Sequence, residues 1–138
     1  MKSTKSLPIL LFAVTTALFG GLYVVLLAWA HNTTVNVSTP GISVTKSPPW
    51  LYVNTSHPWS FSSSHQVTAE VDYSHSVPNF ISNNGTSYYT GYAGSGTEYL
   101  YSSYQNPPTG DHTVYATSDI EADYVTDQAL NTKGFSWP

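Results

Sequence analysis

Residues 66–73 read QVTAEVDY and form the clearest β-strand pattern in the chain. Apolar or aromatic residues occupy every second position from Val67 to Tyr73, and polar residues occupy the positions between them. A period of two is typical of a strand with one face in a core and the other in solvent. Because shorter stretches on both sides repeat this alternation, it decides the fold class.

Turn signals separate the other alternating segments. Pro40-Gly41 and Pro48-Pro49 break the region before residue 66. Asn83-Asn84-Gly85 predicts a tight hairpin turn, 93–96 (AGSG) a flexible linker, and 106–111 (NPPTGD) a further turn. The result is about seven or eight short strands spaced by about 8–12 residues, which predicts an all-β sandwich.

The N-terminal region is different in kind. Residues 7–30 read LPILLFAVTTALFGGLYVVLLAWA and contain no charge. A helix of that length reaches about 36 Å, enough to cross a bilayer core of about 30 Å. The sequence therefore predicts a leader peptide at 1–6, a long hydrophobic α-helix at 7–30 as filament core or membrane anchor, and a β-sandwich head at 31–138.

Three fates of this helix are open. Signal peptidase could remove it at Ala28-Trp29-Ala30, although the apolar run is longer than usual for a cleaved signal. It could remain as a signal anchor, with Lys2 and Lys5 holding the N-terminus in the cytoplasm and the head outside. Cleavage between Ser6 and Leu7 would instead leave the helix at the start of the mature protein.

The third pattern resembles the class III signals of archaeal type IV pilins, in which a short basic leader ends in a small residue directly before an apolar helix. Lys5-Ser6 followed by Leu7 carries the resemblance. Leu11 stands at the fifth mature position, where bacterial pilins have Glu, so the resemblance is to archaeal pilins. It implies an adhesion filament. Each subunit would be inserted in the membrane through its helix before assembly, and identical subunits would then bundle through these helices.

A second resemblance covers residues 107–118, PPTGDHTVYATS. This segment is similar to the strand F region of immunoglobulin-like surface domains, where a turn with Gly and an acidic residue leads into an alternating strand. It implies an immunoglobulin-like head. The Cys-Trp-Cys framework of antibody domains is absent, because the chain has no cysteine.

The composition excludes several functions. Without cysteine there is no disulfide and no thiol chemistry. Charged residues are 9% of the chain and the four basic residues are all lysine, so no basic patch for nucleic acid is expected. A surface of neutral polar groups changes little in charge at low pH, which predicts small acid sensitivity.

Candidate site residues fall into three groups. Four N-x-[ST] sequons are candidates for N-linked glycans, and the turn prediction favours the last of them: Asn32, Asn36, Asn54 and Asn84. The histidines match no zinc motif and are predicted to be separate surface residues: His31, His57, His65, His75 and His112. One acidic cluster is predicted to be a solvated strand face rather than a calcium site: Asp119, Glu121, Asp123 and Asp127.

Aromatic residues are numerous, with 11 Tyr, 4 Trp and 5 Phe. Six tyrosines between residues 88 and 104 cannot all face one core if strands alternate: Tyr88, Tyr89, Tyr92, Tyr99, Tyr101 and Tyr104. Exposed tyrosines make adhesive surface at low entropy cost. Some of them are therefore predicted to form a contact surface, for example between subunits.

No catalytic motif is present: neither G-x-S-x-G, nor a P-loop, nor G-x-G-x-x-G after a strand. The sequence predicts no enzyme, no cofactor and no metal. The first functional hypothesis is a structural subunit of an extracellular filament with glycosylated heads. The second is a membrane-anchored surface or virion glycoprotein with an exported binding module, and the third is a secreted fibre protein.

The mature N-terminus separates these hypotheses. Mass spectrometry of protein from its native surface should find Leu7 first for the filament subunit, Met1 for the anchored glycoprotein, and His31 for the secreted form. A head found alone, without residues 7–30, would contradict the first two hypotheses.

Overall fold

The computed structural model describes residues 32–138, and this part of the chain is all-β. The predicted leader 1–6, its cleavage site at Ser6 and Leu7, and the predicted helix 7–30 lie outside the described residues. Within 32–138 there is no helix that is long and apolar enough to span a membrane. The strands are β1 (Thr34–Val37), β2 (Gly41–Ser47), β3 (Trp50–Val77), β4 (Ile81–Gln105), β5 (Gly110–Ala122) and β6 (Val125–Trp137).

Two strands are far longer than the sequence pattern predicts. β3 has 28 residues and β4 has 25, and the two pair antiparallel along nearly their whole length. Among the short strands expected from the sequence, the segments at 50–53, 59–61 and 66–73 are therefore parts of the single strand β3. The segments at 87–92 and 97–104 are parts of β4, because residues 93–96 between them pair with residues 59–62 of β3 and so continue the ladder.

The sheet curls so that its two halves face each other. In one half, β1 and β2 pair with the first half of β3, which pairs with the second half of β4. In the other half, the first half of β4 pairs with the second half of β3, followed by β5 and β6. The β3–β4 register shifts between Ser62 and Val67, where the sheet turns over. The predicted all-β class is confirmed as a curled sheet that is consistent with a sandwich.

Alternate residues of both halves form the core between them. The alternation of residues 66–73 is confirmed, because Val67, Ala69 and Val71 are buried. They pack with Trp59 and Phe61 from the other half, while a second cluster is built around Leu51 and Val53, Val77 and Ile81, and Val114 and Trp137.

Two glycines allow aromatic rings to lie across β4. A Cβ on Gly94 would stand 2.8 Å from Cε1 of Phe61, and a Cβ on Gly96 would stand 2.9 Å from Cζ2 of Trp59. The predicted linker 93–96 is therefore wrong. Its glycines are strand residues that provide room for large core side chains.

The predicted turn at Asn83-Asn84-Gly85 is also wrong. All three residues lie in β4, and the β3–β4 hairpin turns earlier, at 78–80, where Asn79 has φ +82°. The ring of Tyr73 explains the glycine, since a Cβ on Gly85 would stand 2.6 Å from it. The predicted turn before β5 is confirmed, and β5 begins at Gly110.

Among the described strands, β1 and β6 do not pair through their backbones. Side-chain hydrogen bonds connect the two halves of the sheet at this edge instead. The Val37 N–H donates to Oδ2 of Asp127 at 3.0 Å, and Nδ2 of Asn131 donates to the Pro40 carbonyl at 2.8 Å. Nζ of Lys46 donates to the Ser136 carbonyl at 3.1 Å. These bonds satisfy edge groups that would otherwise stay unpaired.

The glycine packing generates a stability prediction. Gly96→Ala should lower the free energy of unfolding by about 1–3 kcal/mol, because its Cβ overlaps the Trp59 ring. Gly91→Ala is the control, because its Cβ would come no closer than 3.7 Å to a neighbouring atom. Urea denaturation of both variants measures the difference. Equal stability of the two alanine variants would contradict the packing argument.

Candidate functional site

A hydrogen-bonded chain of polar side chains crosses the core at the middle of the sheet. Oγ1 of Thr55 lies 2.8 Å from Nε2 of His57 and 2.7 Å from Nδ1 of His75. The other ring nitrogens contact serines, with 2.8 Å from His57 Nδ1 to Ser118 Oγ and 2.6 Å from His75 Nε2 to Ser102 Oγ. Both imidazoles are buried, so the predicted surface position is wrong for these two histidines.

One assignment of protons satisfies every link of this chain. Nδ2 of Asn83 donates to Ser102 Oγ at 3.4 Å, and the Thr117 carbonyl accepts from His57. With a proton on Nδ1 of each imidazole, every link has one donor and one acceptor. A second proton on either ring would face a group that is already donating. The network therefore fits neutral histidines.

Burial lowers the pKa of both histidines. For His57 the main cause is desolvation, which the Thr117 carbonyl and the Glu98 carboxylate partly oppose. For His75, desolvation and then repulsion from His57 lower the pKa to about 4. Each pair of histidine and serine resembles a base with a nucleophile. His57 and Ser118 are too deeply buried for a substrate to reach, whereas Ser102 is half-buried and lines a surface groove with Tyr52 and Tyr101. The chain of polar groups connects β3 to β4 and β5 across the core.

A half-buried carboxylate forms a second polar cluster that the sequence did not suggest. Oε2 of Glu98 accepts from Nε1 of Trp59 at 3.0 Å and from the Tyr89 hydroxyl, and Oε1 accepts from Ser87 at 3.3 Å. The ring of Tyr89 stacks on Trp59 with centroids 4.2 Å apart. The carboxylate raises the pKa of Tyr89 through their hydrogen bond. Through its hydrogen bond with Trp59, Glu98 of β4 is connected to β3.

The outer surface of the first half of the sheet is the main candidate for binding. Even-numbered residues of β3 and odd-numbered residues of β4 point away from the core there. We call this surface the tyrosine face, and define it by its aromatic and neutral polar residues: Trp50, Tyr52, Tyr99, Tyr101, Ser43, Thr45, Asn54, Ser103 and Gln105. The structure brings together only Tyr99 and Tyr101 of the six tyrosines singled out in the sequence.

The tyrosine face is aromatic and exposed, yet uncharged. Exposed fractions are 40% for Tyr52, 58% for Tyr99 and 67% for Tyr101. Trp50 stacks on Tyr52 with ring centroids 6.5 Å apart. None of the residues that define this face is Asp, Glu, Lys, Arg or His. The prediction that the tyrosines cannot share one core is confirmed, since Tyr89 and Tyr104 are partly buried while Tyr88, Tyr92, Tyr99 and Tyr101 are exposed.

The opposite outer surface, which we call the acidic face, carries four carboxylates on adjacent strands: Glu70 and Asp72 on β3, and Asp119 and Glu121 on β5. A hydrogen bond with Asp72 and the nearby negative charges raise the pKa of Glu70. Among residues 32–138 no three His, Cys, Asp or Glu side chains are placed to hold a metal ion.

The predicted acidic cluster does not form a single face. Asp119 and Glu121 point outward, but Asp123 lies in the β5–β6 turn, where its Oδ2 accepts from Thr33 at 3.1 Å. Asp127 is buried and binds the Val37 N–H. The alternation changes phase because Asp123 and Tyr124 both have positive φ, 52° and 66°, and so turn the chain.

The four sequons occupy different surroundings. Asn32, Asn54 and Asn84 are exposed, while Asn36 is half-buried in β1. Asn84 lies in a strand on the acidic side rather than in a turn, which removes the reason to prefer it. Asn54 lies within the tyrosine face, directly opposite Tyr101. A glycan on Asn54 would therefore cover this face.

Comparisons with known proteins give a likeness of fold alone. No protein-family model matches the sequence, and no curated protein matches it. The chain is similar to the solved β-glucuronidase 2 of Bacteroides uniformis covalently bound to cyclophellitol-6-carboxylate aziridine, with TM-score 0.52 and 11% identity over 72% of this chain. It is also similar to the exo-chitosanase of Amycolatopsis orientalis, with TM-score 0.47 and 11% identity over 74% of this chain. This chain spans 13% of each enzyme.

The resemblance to archaeal type IV pilins is wrong. The described residues are all-β with no helix, and the similar solved structures include parts of a β-glucuronidase at TM-scores of 0.52, not pilins. The physical reason lies in the motif itself. Basic residues before an apolar run are needed by any chain that enters a membrane, so residues 1–30 do not specify the pilin family.

The buried histidines generate a pH prediction. Above pH 6.5 they are neutral in both folded and unfolded chains and stability is complete. As the pH falls, the unfolded chain binds protons first, so the free energy of unfolding should decrease until about pH 4, where folded His75 titrates. Its contribution is on the order of 3 kcal/mol. Urea denaturation between pH 7.5 and 4 measures the slope.

Two variants make this test specific, because relief of repulsion around Glu70 acts in the opposite direction. His75→Gln should lower stability at pH 7.5 and flatten the dependence on pH. His112→Gln is the control and should keep the slope, because His112 lies at the periphery, where its Nε2 contacts the Pro108 carbonyl. An unchanged slope in His75→Gln would contradict the assignment.

Proposed function

We propose that this chain is a non-catalytic binding module displayed on a cell or virion surface, and that the tyrosine face is its binding surface. The observation that carries the proposal is the unequal use of side chains on the two outer surfaces. Three exposed tyrosines lie together on a face whose defining residues carry no charge, whereas exposed tyrosines on the other side lie beside carboxylates, as Tyr88 does opposite Glu70. Four of the eight acidic residues lie on that other side. Tyrosine supplies large, rigid contact area with a polar end, which suits recognition.

Several features of the sequence support display outside the cell. The uncharged stretch 7–30 follows two lysines, and four sequons lie in or near the β region. We propose that the module is extracellular, held at a membrane through residues 7–30, and N-glycosylated at one or more of its sequons. We also propose that the strands of this module have an immunoglobulin-like arrangement. The turn and strand at residues 107–118 support it.

Contact between identical copies is the second candidate use of the tyrosine face. It is favoured by the same tyrosines, because Tyr is enriched in protein interfaces. The filament of the first hypothesis would require residues 7–30, and nothing in residues 32–138 bears on it. The binding module is preferred because the face alternates aromatic rings with hydroxyl and amide groups.

The test is binding of the full chain to envelope material from its own host. Tyr52→Ala/Tyr101→Ala should lower the affinity at least tenfold, because two exposed aromatic contacts are lost. Tyr88→Ala/Tyr124→Ala is the matched control, since both tyrosines are exposed but lie outside the tyrosine face. Sedimentation with envelopes measures the bound fraction. Equal loss in the two double variants would contradict a role for this face.

A further inference from the structure

The absence of charge on the tyrosine face restricts the chemistry of its ligand. A carboxylate, phosphate or ammonium group docked there would lose water without gaining an ion pair. The four carboxylates on the acidic face lie on the other outer surface and would repel polyanions. A ligand that fits this distribution is uncharged and forms its polar contacts through neutral hydrogen bonds.

The positions of the aromatic rings define a shallow groove. Tyr101 is directly opposite Asn54 on the neighbouring strand, and Tyr52 is opposite Ser103. The two tyrosines are therefore diagonal neighbours, with Cα atoms about 7–8 Å apart. The groove between them has a volume of about 430 Å³, and Thr45, Asn54 and Ser103 contribute polar groups to its lining.

Taken together, the rings and polar groups match a sugar. A pyranose ring has a face of C–H groups, which packs on an aromatic ring, and a rim of hydroxyls, which hydrogen-bond to an amide. Tyr52 and Tyr101 offer exposed rings. Asn54 offers both a donor and an acceptor between them. We propose that the tyrosine face binds an uncharged polysaccharide, with Tyr52 and Tyr101 against sugar faces and Asn54 on sugar hydroxyls.

The extent of the aromatic row favours a polymer over a single sugar. Trp50 and Tyr52 lie along β3, and Tyr99 of β4 lies opposite Ser56 of β3. From residue 50 to residue 56 a strand extends about 20 Å. Several sugar units in sequence fit along this row. Binding should therefore strengthen as the oligosaccharide lengthens.

A second copy of this chain fits the same surface less well. Stable protein interfaces bury about 800 Å² per partner around a water-excluded centre. The centre here is made of Thr45, Asn54 and Ser103, whose polar groups would each need a partner in a dry interface. Sugar hydroxyls supply such partners at every unit of the polymer.

The inference rests on the proposed function, and the experiment separates the two. The full chain, made in a host without N-glycosylation so that Asn54 is free, is run through native gels with and without polysaccharide. Mannan, β-glucan and arabinoxylan are the neutral probes, and polygalacturonate is the polyanionic probe. We expect retardation by at least one neutral polymer and none by polygalacturonate.

Variants locate the binding surface. Tyr52→Ala/Tyr101→Ala should lower affinity at least tenfold, and Asn54→Asp, which keeps the shape but adds a charge, should lower it as well. Tyr88→Ala/Tyr124→Ala should bind like the unaltered chain. Circular dichroism checks that each variant is folded. No retardation by any neutral polymer, or equal retardation of the tyrosine-face variant, would overturn the inference.

Analytical ultracentrifugation distinguishes failure of the ligand class from failure of the function. If the chain ignores all polymers but forms a dimer that Tyr52→Ala/Tyr101→Ala abolishes, the polysaccharide is wrong and the tyrosine face is still a binding surface. If polysaccharide binding, self-association and envelope binding are all unaffected by that double variant, both the inference and the proposed function are wrong.

Discussion

The continuity of β3 and β4 through both halves of the sheet is the constraint on which the structure depends. Because each strand belongs to both halves, two continuous backbones connect the halves at the turn-over between Ser62 and Val67. The turn-over requires space at the inner surface, which Gly94 and Gly96 provide beneath Phe61 and Trp59. In a chain without disulfides, this shared backbone takes the place of covalent links between the layers.

A chain of polar side chains crosses the otherwise apolar core near this constraint. His57, Thr55 and His75 form one hydrogen-bonded chain between the halves, and each additional member is satisfied by a serine or an amide. Such a network specifies one arrangement of the strands only while both imidazoles are neutral. The surface composition alone predicts that stability depends little on acid. The two buried histidines add a contribution that lowers the free energy of unfolding as the pH falls.

Local alternation predicted the strand faces well wherever one residue in two is apolar. Residues 66–73 and the strands around Pro40 follow this rule. The phase of β3 also places Thr55 and His57 on the inward side, between Val53 and Trp59, so their burial was available from the sequence. Composition hid it, because histidine and threonine are usually exposed.

Other features depend on pairing between distant segments and could not be predicted locally. From the sequence alone, a glycine that packs against an aromatic ring of the neighbouring strand cannot be distinguished from a glycine in a linker, as residues 93–96 show. The charge-free surface is likewise formed by residues about 45 positions apart in sequence, such as Asn54 and Tyr101. Only the register between β3 and β4 brings them together.

The difference between the two outer surfaces gives the domain an electrical direction. Four carboxylates lie on one outer surface, and the residues that define the tyrosine face carry none. A positively charged surface would therefore attract the acidic face. A molecule held in that way would present its tyrosine face to the solvent.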